Sequence, residues 1–137
     1  MSQKPLHPRT RAVHHGIRRS QYGEMAEAIF LTQGFVYDSA EQAEARFKGT
    51  GPDEFIYARY GNPTSRMFED RIADLEGTED AFATASGMAA VNGALMCWAK
   101  PGDHVVSSKA LFGSCLYVLD VLARFGVRIS YVDGADL

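Results

Sequence analysis

Ala81-Phe82-Ala83-Thr84-Ala85-Ser86-Gly87-Met88-Ala89-Ala90 sets a run of small and apolar residues directly before a Ser-Gly turn and a helix-forming stretch. Ala81 to Ala85 predicts a short buried strand. Gly87 opens a helix running to about Ala99, which Pro101-Gly102 closes. His104 to Ser107 reads as a second strand. Ser114 to Phe125 predicts a helix with Val118, Val121, Leu122 and Phe125 inward; Gly126 ends it, and Val127 to Val132 is a third strand. The order β-α-β-α-β implies an α/β layer, with helices packed on a largely parallel sheet. Three strands leave an open sheet edge, so the chain reads as the front part of a longer protein.

Upstream of residue 63 the pattern is irregular. Glu24 to Gln33 predicts a short helix with Met25, Ala28, Ile29 and Thr32 on one side, stopped by Gly34. Ser39, with Gln42 three residues on, has the form of a capping box for a helix over Ala40 to Phe47. The cluster Gly49-Thr50-Gly51-Pro52-Asp53 is a loop. Thr64 or Ser65 then caps a helix from Arg66 to Glu76, with Phe68, Ile72 and Leu75 as its buried stripe and Gly77 at its end.

With 137 residues, 46% of them hydrophobic and 23% charged, the composition is that of a globular chain rather than a disordered one. A net charge of −3 argues against a protein that coats nucleic acid. The longest apolar stretch, Met88 to Ala99, is interrupted by Asn92 and is too short to span a bilayer. Cys97 and Cys115 form no CxxC pair, so neither a zinc site nor a disulfide framework is expected. The charge is uneven: Lys4, Arg9, Arg11, Arg18 and Arg19 give residues 1–23 a charge of +5 with no acid, and the remainder carries −8. This head reads as an arm that docks on an acidic neighbour rather than as a targeting peptide, having no apolar core. The adjacent rings of His14 and His15 diverge on most backbones, which speaks against a metal site.

Three places carry chemistry. At Ser86-Gly87-Met88 the first helical N–H groups have no partner within the helix, and the dipole is positive there; a phosphate fits, as does a plain turn with a Ser cap. In Tyr57-Ala58-Arg59 an extended backbone points phenol and guanidinium the same way, as an anion clamp or as a surface stack. Leu111-Phe112-Gly113-Ser114-Cys115 follows a strand, where ligands of α/β sheets gather; Phe112 either stacks on a flat ring or covers the sheet end.

Taken together, Tyr-Ala-Arg-Tyr-Gly-Asn-Pro-Thr (57–64), Ala-Thr-Ala-Ser-Gly-Met-Ala-Ala (83–90), Pro-Gly-Asp-His-Val-Val (101–106) and Leu-Phe-Gly-Ser-Cys (111–115) resemble the pyridoxal-phosphate (PLP) enzymes of Cys/Met metabolism. The likeness runs from about Thr32 to Leu137. Phe112, where most of that family has Tyr, looks most like its O-succinylhomoserine sulfhydrylase subgroup. The resemblance implies a fold-type-I, aspartate-aminotransferase-like α/β architecture. Residues 1–58 would be an arm contacting the neighbouring subunit, and residues 59–137 the beginning of the large PLP-binding domain. It also implies the binding roles. Ser86, Gly87 and Met88 would hold the cofactor phosphate, Phe112 would stack on its ring, and Tyr57 and Arg59 would reach the phosphate of a partner's cofactor. Tyr57 stands besides as a candidate catalytic assist. No catalytic lysine is expected in this chain: Lys4, Lys48, Lys100 and Lys109 all lie outside the family's Ser/Thr-flanked lysine motif. The implied reaction is γ-replacement on an amino-acid ester by sulfide, forming homocysteine for methionine biosynthesis. It would run in a cytoplasmic homodimer that shares active sites, or a tetramer, without nucleic acid or membrane. A cystathionine synthase, a methionine or cystathionine lyase, and a non-catalytic chain that binds partners stand as alternatives.

Overall fold

The computed structural model describes residues 6–135; Lys4, Pro5, Asp136 and Leu137 lie outside the described residues. The chain divides into two compact units, Met1–Ala83 and Thr84–Leu137.

Among the described residues the first unit holds three helices, α1 (Pro8–His14), α2 (Ala40–Lys48) and α3 (Pro63–Glu76). α1 lies within the basic head and packs on α3. The acid that meets this head belongs to the same chain. Arg11 grips the Asp74 carboxylate with two N–H groups, Nε to Oδ2 at 2.8 Å and Nη2 to Oδ1 at 2.7 Å. Arg18 Nη2 reaches Asp70 Oδ2 at 2.9 Å. Gly16, at φ 74°, lets the chain pass so close to α3 that a Cβ there would stand 3.0 Å from the Met67 carbonyl oxygen.

The helix expected over Glu24 to Gln33 does not form. Its backbone groups are spent on residues far along the chain. Phe30 N–H donates to Thr64 Oγ1 at 2.9 Å, and the Phe30 carbonyl accepts from Asn62 Nδ2 at 2.9 Å. Gly34 pairs with Tyr57 in an isolated antiparallel bridge, and Ala58 N–H donates to the Gln33 carbonyl at 2.8 Å. Tertiary hydrogen bonds thus outweigh a weak local preference.

α2 starts where Ser39 predicts, with its Oγ accepting the Gln42 N–H at 3.1 Å. The return bond differs from the usual box, since Gln42 Oε1 accepts from Asp38 rather than from Ser39. α3 begins three residues before the expected Arg66. Asn62, not Thr64 or Ser65, caps it by accepting the Thr64 N–H at 2.8 Å, and Pro63 fills the first position where no N–H is needed. The expected stripe is also displaced: Pro63, Met67, Glu69 and Ala73 are buried, while Phe68 and Leu75 are exposed. The reason is the partner, because the segment bearing Gly16 and Arg18 lies against Met67.

In the second unit α4 (Gly87–Trp98), β1 (His104–Ser108), α5 (Gly113–Arg124) and β2 (Arg128–Val132) follow in order. β1 and β2 pair in parallel, with Val105 opposite Ile129, and α5 is the crossover. The α/β reading therefore holds, with two strands instead of three. Ala81 to Ala85 is not a strand: no ladder partner adjoins it, and Ala83 gives its N–H to Glu69 Oε1 at 2.8 Å. The core of this unit is Leu119, Leu122 and Val127, with Leu95, Ala99, Val105 and Ile129 around it. Of the inward set expected on α5 only Leu122 is fully buried; Phe125 ends the helix and is exposed. No helix among the described residues is long and apolar enough to cross a membrane.

Candidate functional site

The turn into α4 is capped by Ser86. Ser86 is extended, at φ −160° and ψ 159°, and its Oγ accepts the Ala89 N–H at 3.2 Å. Its carbonyl accepts the Ala90 N–H at 3.1 Å. Among the described residues the N–H groups of Gly87 and Met88 have no protein acceptor. They are the unpaired donors of a twelve-residue helix, at the positive end of its dipole. A Cβ built on Gly87 meets nothing within 4 Å, so the approach to these donors is open. A phosphate monoester fits this donor set. The Ser86 O–H remains free to donate while its oxygen accepts from the helix.

Phe112 occupies the N-cap of α5 without capping it by a side chain, and its ring is exposed. The Phe112 carbonyl accepts the N–H groups of Cys115 and Leu116, at 2.8 and 3.2 Å. The connection from β1 is short, and Lys109 N–H prolongs the ladder by donating to the Val132 carbonyl at 2.9 Å. Because α4 leads into β1 through Ala99–Asp103, and β1 leads into α5 through Lys109–Phe112, the starts of both helices belong to the end of the layer where β1 terminates. That is where open α/β sheets bind ligands.

Tyr57 and Arg59 belong to the first unit. They are brought together, though not by an extended backbone. Tyr57 ends its bridge with Gly34 and begins a turn, its carbonyl accepting the N–H groups of Tyr60 and Gly61 at 2.9 and 3.2 Å. In this turn the Arg59 guanidinium carbon stands 5.4 Å from the ring centroids of both Tyr57 and Tyr60. The ion pairs of the described residues engage Arg11, His15, Arg18, Arg46, Lys48, Arg66 and Arg71; Arg59 enters none of them. A cation held between two rings and left without a carboxylate is free to meet an anion.

Arg59 also borders a cleft of about 500 Å³ in the first unit, lined besides by Phe55, Asn62, Arg66, Glu69 and Asp80. Burial works against the charge of Arg66, but Asp70, Asp80 and Glu69 outweigh it and raise its pKa. Glu69 is the one charged residue buried among the described residues. Nothing in the sequence sets it apart from its acidic neighbour Asp70; only the packing of α3 does. Among the described lysines, Lys48 pairs with Glu44 on α2, and Lys100 and Lys109 flank β1.

Residues 9–137 match the family described as Cys/Met metabolism PLP-dependent enzyme. The chain is 49% identical over 129 residues to an O-succinylhomoserine sulfhydrylase of Mycobacterium tuberculosis, covering 93% of this chain and 32% of that protein. It is 43% identical over 130 residues to an L-methionine gamma-lyase of Fusobacterium nucleatum subsp. polymorphum, at the same coverage of 93% and 32%. A crystal structure of a putative O-acetylhomoserine (thiol)-lyase from Campylobacter jejuni, with a pyridoxyl-lysine monophosphate, superposes with a TM-score of 0.85 at 30% identity, over 94% of this chain and 32% of that one. The chain thus spans about a third of the length of these relatives, and its mixed α/β fold with a small parallel sheet is that of the N-terminal third of the fold-type-I enzymes. By sequence and by fold, the chain belongs to the Cys/Met metabolism PLP-dependent enzyme family.

Proposed function

We propose that residues 1–58 form the arm, and residues 59–137 the beginning of the cofactor-binding domain, of a PLP-dependent sulfhydrylase. This enzyme replaces the succinyl group of O-succinylhomoserine by sulfide and yields homocysteine for methionine biosynthesis. It works in the cytoplasm as a homodimer with shared sites or as a tetramer built of two such dimers. The observation that carries the cofactor reading is the turn at Ser86, with two unpaired N–H groups and open space over Gly87.

In this reading Gly87 and Met88 bind the phosphate through their N–H groups and Ser86 adds a hydroxyl donor. Phe112 lays its ring against the flat face of the cofactor and orients it. Tyr57 and Arg59 of a second copy close over the phosphate, with Arg59 supplying the counter-charge. The Tyr57 hydroxyl, at the rim of the same turn, holds or releases a proton near the leaving group. When bound, PLP supplies an electron sink for the substrate carbanions. The reaction is read from the sulfhydrylase relatives, which are more similar to this chain than the lyase relatives are, and from Phe112.

The test is a product assay on the full-length enzyme that carries this chain. Homocysteine from O-succinylhomoserine and sulfide is the expected outcome. 2-Oxobutyrate from methionine without homocysteine establishes the lyase reading, which the 43% relative favours. Absence of both products, with no PLP bound, supports the non-catalytic alternative.

A further inference from the structure

We propose that Phe55, backed by Phe35, is a positioning residue for Arg59, acting through the turn over residues 57–61. The inference rests on the reading of Arg59 as a phosphate-binding cation and adds a residue to it. Every group it uses lies in the first unit. Residues 30–37 frame the turn. Beyond its far end the Phe30 carbonyl accepts from Asn62 Nδ2 at 2.9 Å. At its start Gly34 pairs with Tyr57, and the Gln33 carbonyl accepts the Ala58 N–H at 2.8 Å. Just before it the Tyr37 hydroxyl donates to the Ile56 carbonyl at 3.4 Å. These bonds fix where the chain enters and leaves the turn. The N–H groups of Tyr60 and Gly61 bond only within it, both to the Tyr57 carbonyl.

Against this middle stretch lies the Phe55 ring. A Cβ built on Gly61 would meet that ring alone, at 3.5 Å from Cδ1 and 3.7 Å from Cε1. Phe55 packs in turn on Phe35, with ring centroids 5.3 Å apart and planes inclined by 32°. Both rings are half-buried, and Phe35 adjoins Gly34 in the framing segment. The ring pair therefore ties the middle of the turn to the same frame that holds its ends. Arg59 depends on that middle. Its guanidinium carbon stands 5.4 Å from the rings of both Tyr57 and Tyr60. Tyr60 is 70% exposed, so the backbone of the turn aims its ring more than packing does. A guanidinium binds an oxyanion through a planar fork of donors, which makes its direction matter as well as its charge. Without the Phe55 ring, Tyr60 and Gly61 lose their support, and the guanidinium turns with them.

The test is a double-mutant cycle on the full-length enzyme that carries this chain. It reads the PLP dissociation constant, the ³¹P resonance of the bound phosphate and the Tm of the apo protein. Arg59→Ala alone raises the dissociation constant by about tenfold or more, since a charge-assisted contact is lost. Phe55→Leu keeps an apolar side chain without the ring. It raises the constant by roughly threefold to fivefold and displaces the resonance. In the Arg59→Ala background the same change raises the constant no further, because the two residues act as one unit. Phe35→Leu removes the ring pair from its other side and serves in the same cycle should Phe55→Leu not fold. A Phe55→Leu protein with a lower Tm but wild-type affinity and resonance overturns the proposal. An equal rise with and without Arg59 overturns it too, since the ring then stabilises the unit without aiming the cation. The reading beneath fails separately: if Arg59→Ala leaves PLP affinity unchanged, Arg59 does not bind the phosphate, and its positioning by Phe55 falls with it.

Discussion

At Phe112 the question is what an exposed aromatic ring is for. It caps nothing by its side chain and sits exposed at the start of α5, so either a ligand or further protein covers it. Stacking needs the flat face and no hydroxyl. Phe112→Tyr in the full-length enzyme therefore keeps PLP affinity but changes the ratio of homocysteine to 2-oxobutyrate, because a phenol can move a proton and phenyl cannot. Phe112→Leu loosens the cofactor by the value of an aromatic contact, roughly 0.5–1.5 kcal/mol. Unchanged PLP affinity in Phe112→Leu reduces the ring to sheet-end packing. Gly16 makes a second prediction of a different kind. Both Gly16 and Gly23 have positive φ, 74° and 65°, but a Cβ meets α3 only at Gly16. Gly23→Ala costs about 1 kcal/mol for its backbone alone. Gly16→Ala adds an overpacking cost of roughly 1–3 kcal/mol, read as a lower urea midpoint. Equal midpoints for the two variants would mean that α1 and α3 separate easily.

Among the elements, α1 and α3 are joined by charge as much as by packing. The Asp74 carboxyl is held below its ordinary value, chiefly by the hydrogen bond from Arg11 and in part by its charge, against the burial that opposes them. A carboxylate depressed in the folded state stabilises above its unfolded value and loses that contribution as pH falls through the lowered folded value. Docking of α1 is thus constant near neutrality and weakens below about pH 4. Amide protection in Pro8–His14, the observed exchange corrected for the intrinsic rate at each pH, should fall over that range, and Asp74→Asn should be less protected already at neutral pH, with a flatter acid dependence. An α1 that protects its amides equally at pH 3 and pH 6 contradicts this. The same elements show what was legible beforehand. Ser39 and Ser86 announce their helices because a hydroxyl before a helical run satisfies backbone donors locally. The helix expected over Glu24 to Gln33 fails for the opposite reason: its backbone partners, Asn62 and Thr64, are more than thirty residues away. The buried stripe of α3 differs from the expected one because amphipathic spacing allows more than one face, and the segment at Gly16 packs on the one bearing Met67. The pairing of Tyr57 with Arg59 was legible from residue types, whereas the turn that achieves it depends on the distant Gln33 and Gly34.

For the whole molecule, two features call for protein beyond the described elements. α4 is rich in apolar residues yet has none fully buried, and a helix of that composition is normally covered on most sides. Trp98, the only tryptophan, is 82% exposed near its C-terminal end and therefore reports on that coverage. In the isolated 137-residue chain its emission should be that of a water-exposed indole and open to acrylamide; in the full-length enzyme it should shift to the blue. The same emission in both would leave α4 bare. The second feature is Arg59, which lies over two rings and enters none of the ion pairs among the described residues. If it completes a partner's site, defects in different parts of that site should complement. Subunits carrying Arg59→Ala keep their own cofactor lysine but lend a deficient arm. Subunits lacking that lysine lend a sound arm but have no site of their own. In a mixed dimer one site then combines an intact lysine with an intact Arg59. Random mixing in equal amounts makes half the dimers mixed, with one sound site in two, so about a quarter of wild-type activity returns from two nearly inactive parents. If Arg59 instead serves the site of its own chain, every site in the mixture is defective and nothing returns. Recovery and its absence thus decide whether the turn at Tyr57 faces inward or across a dimer.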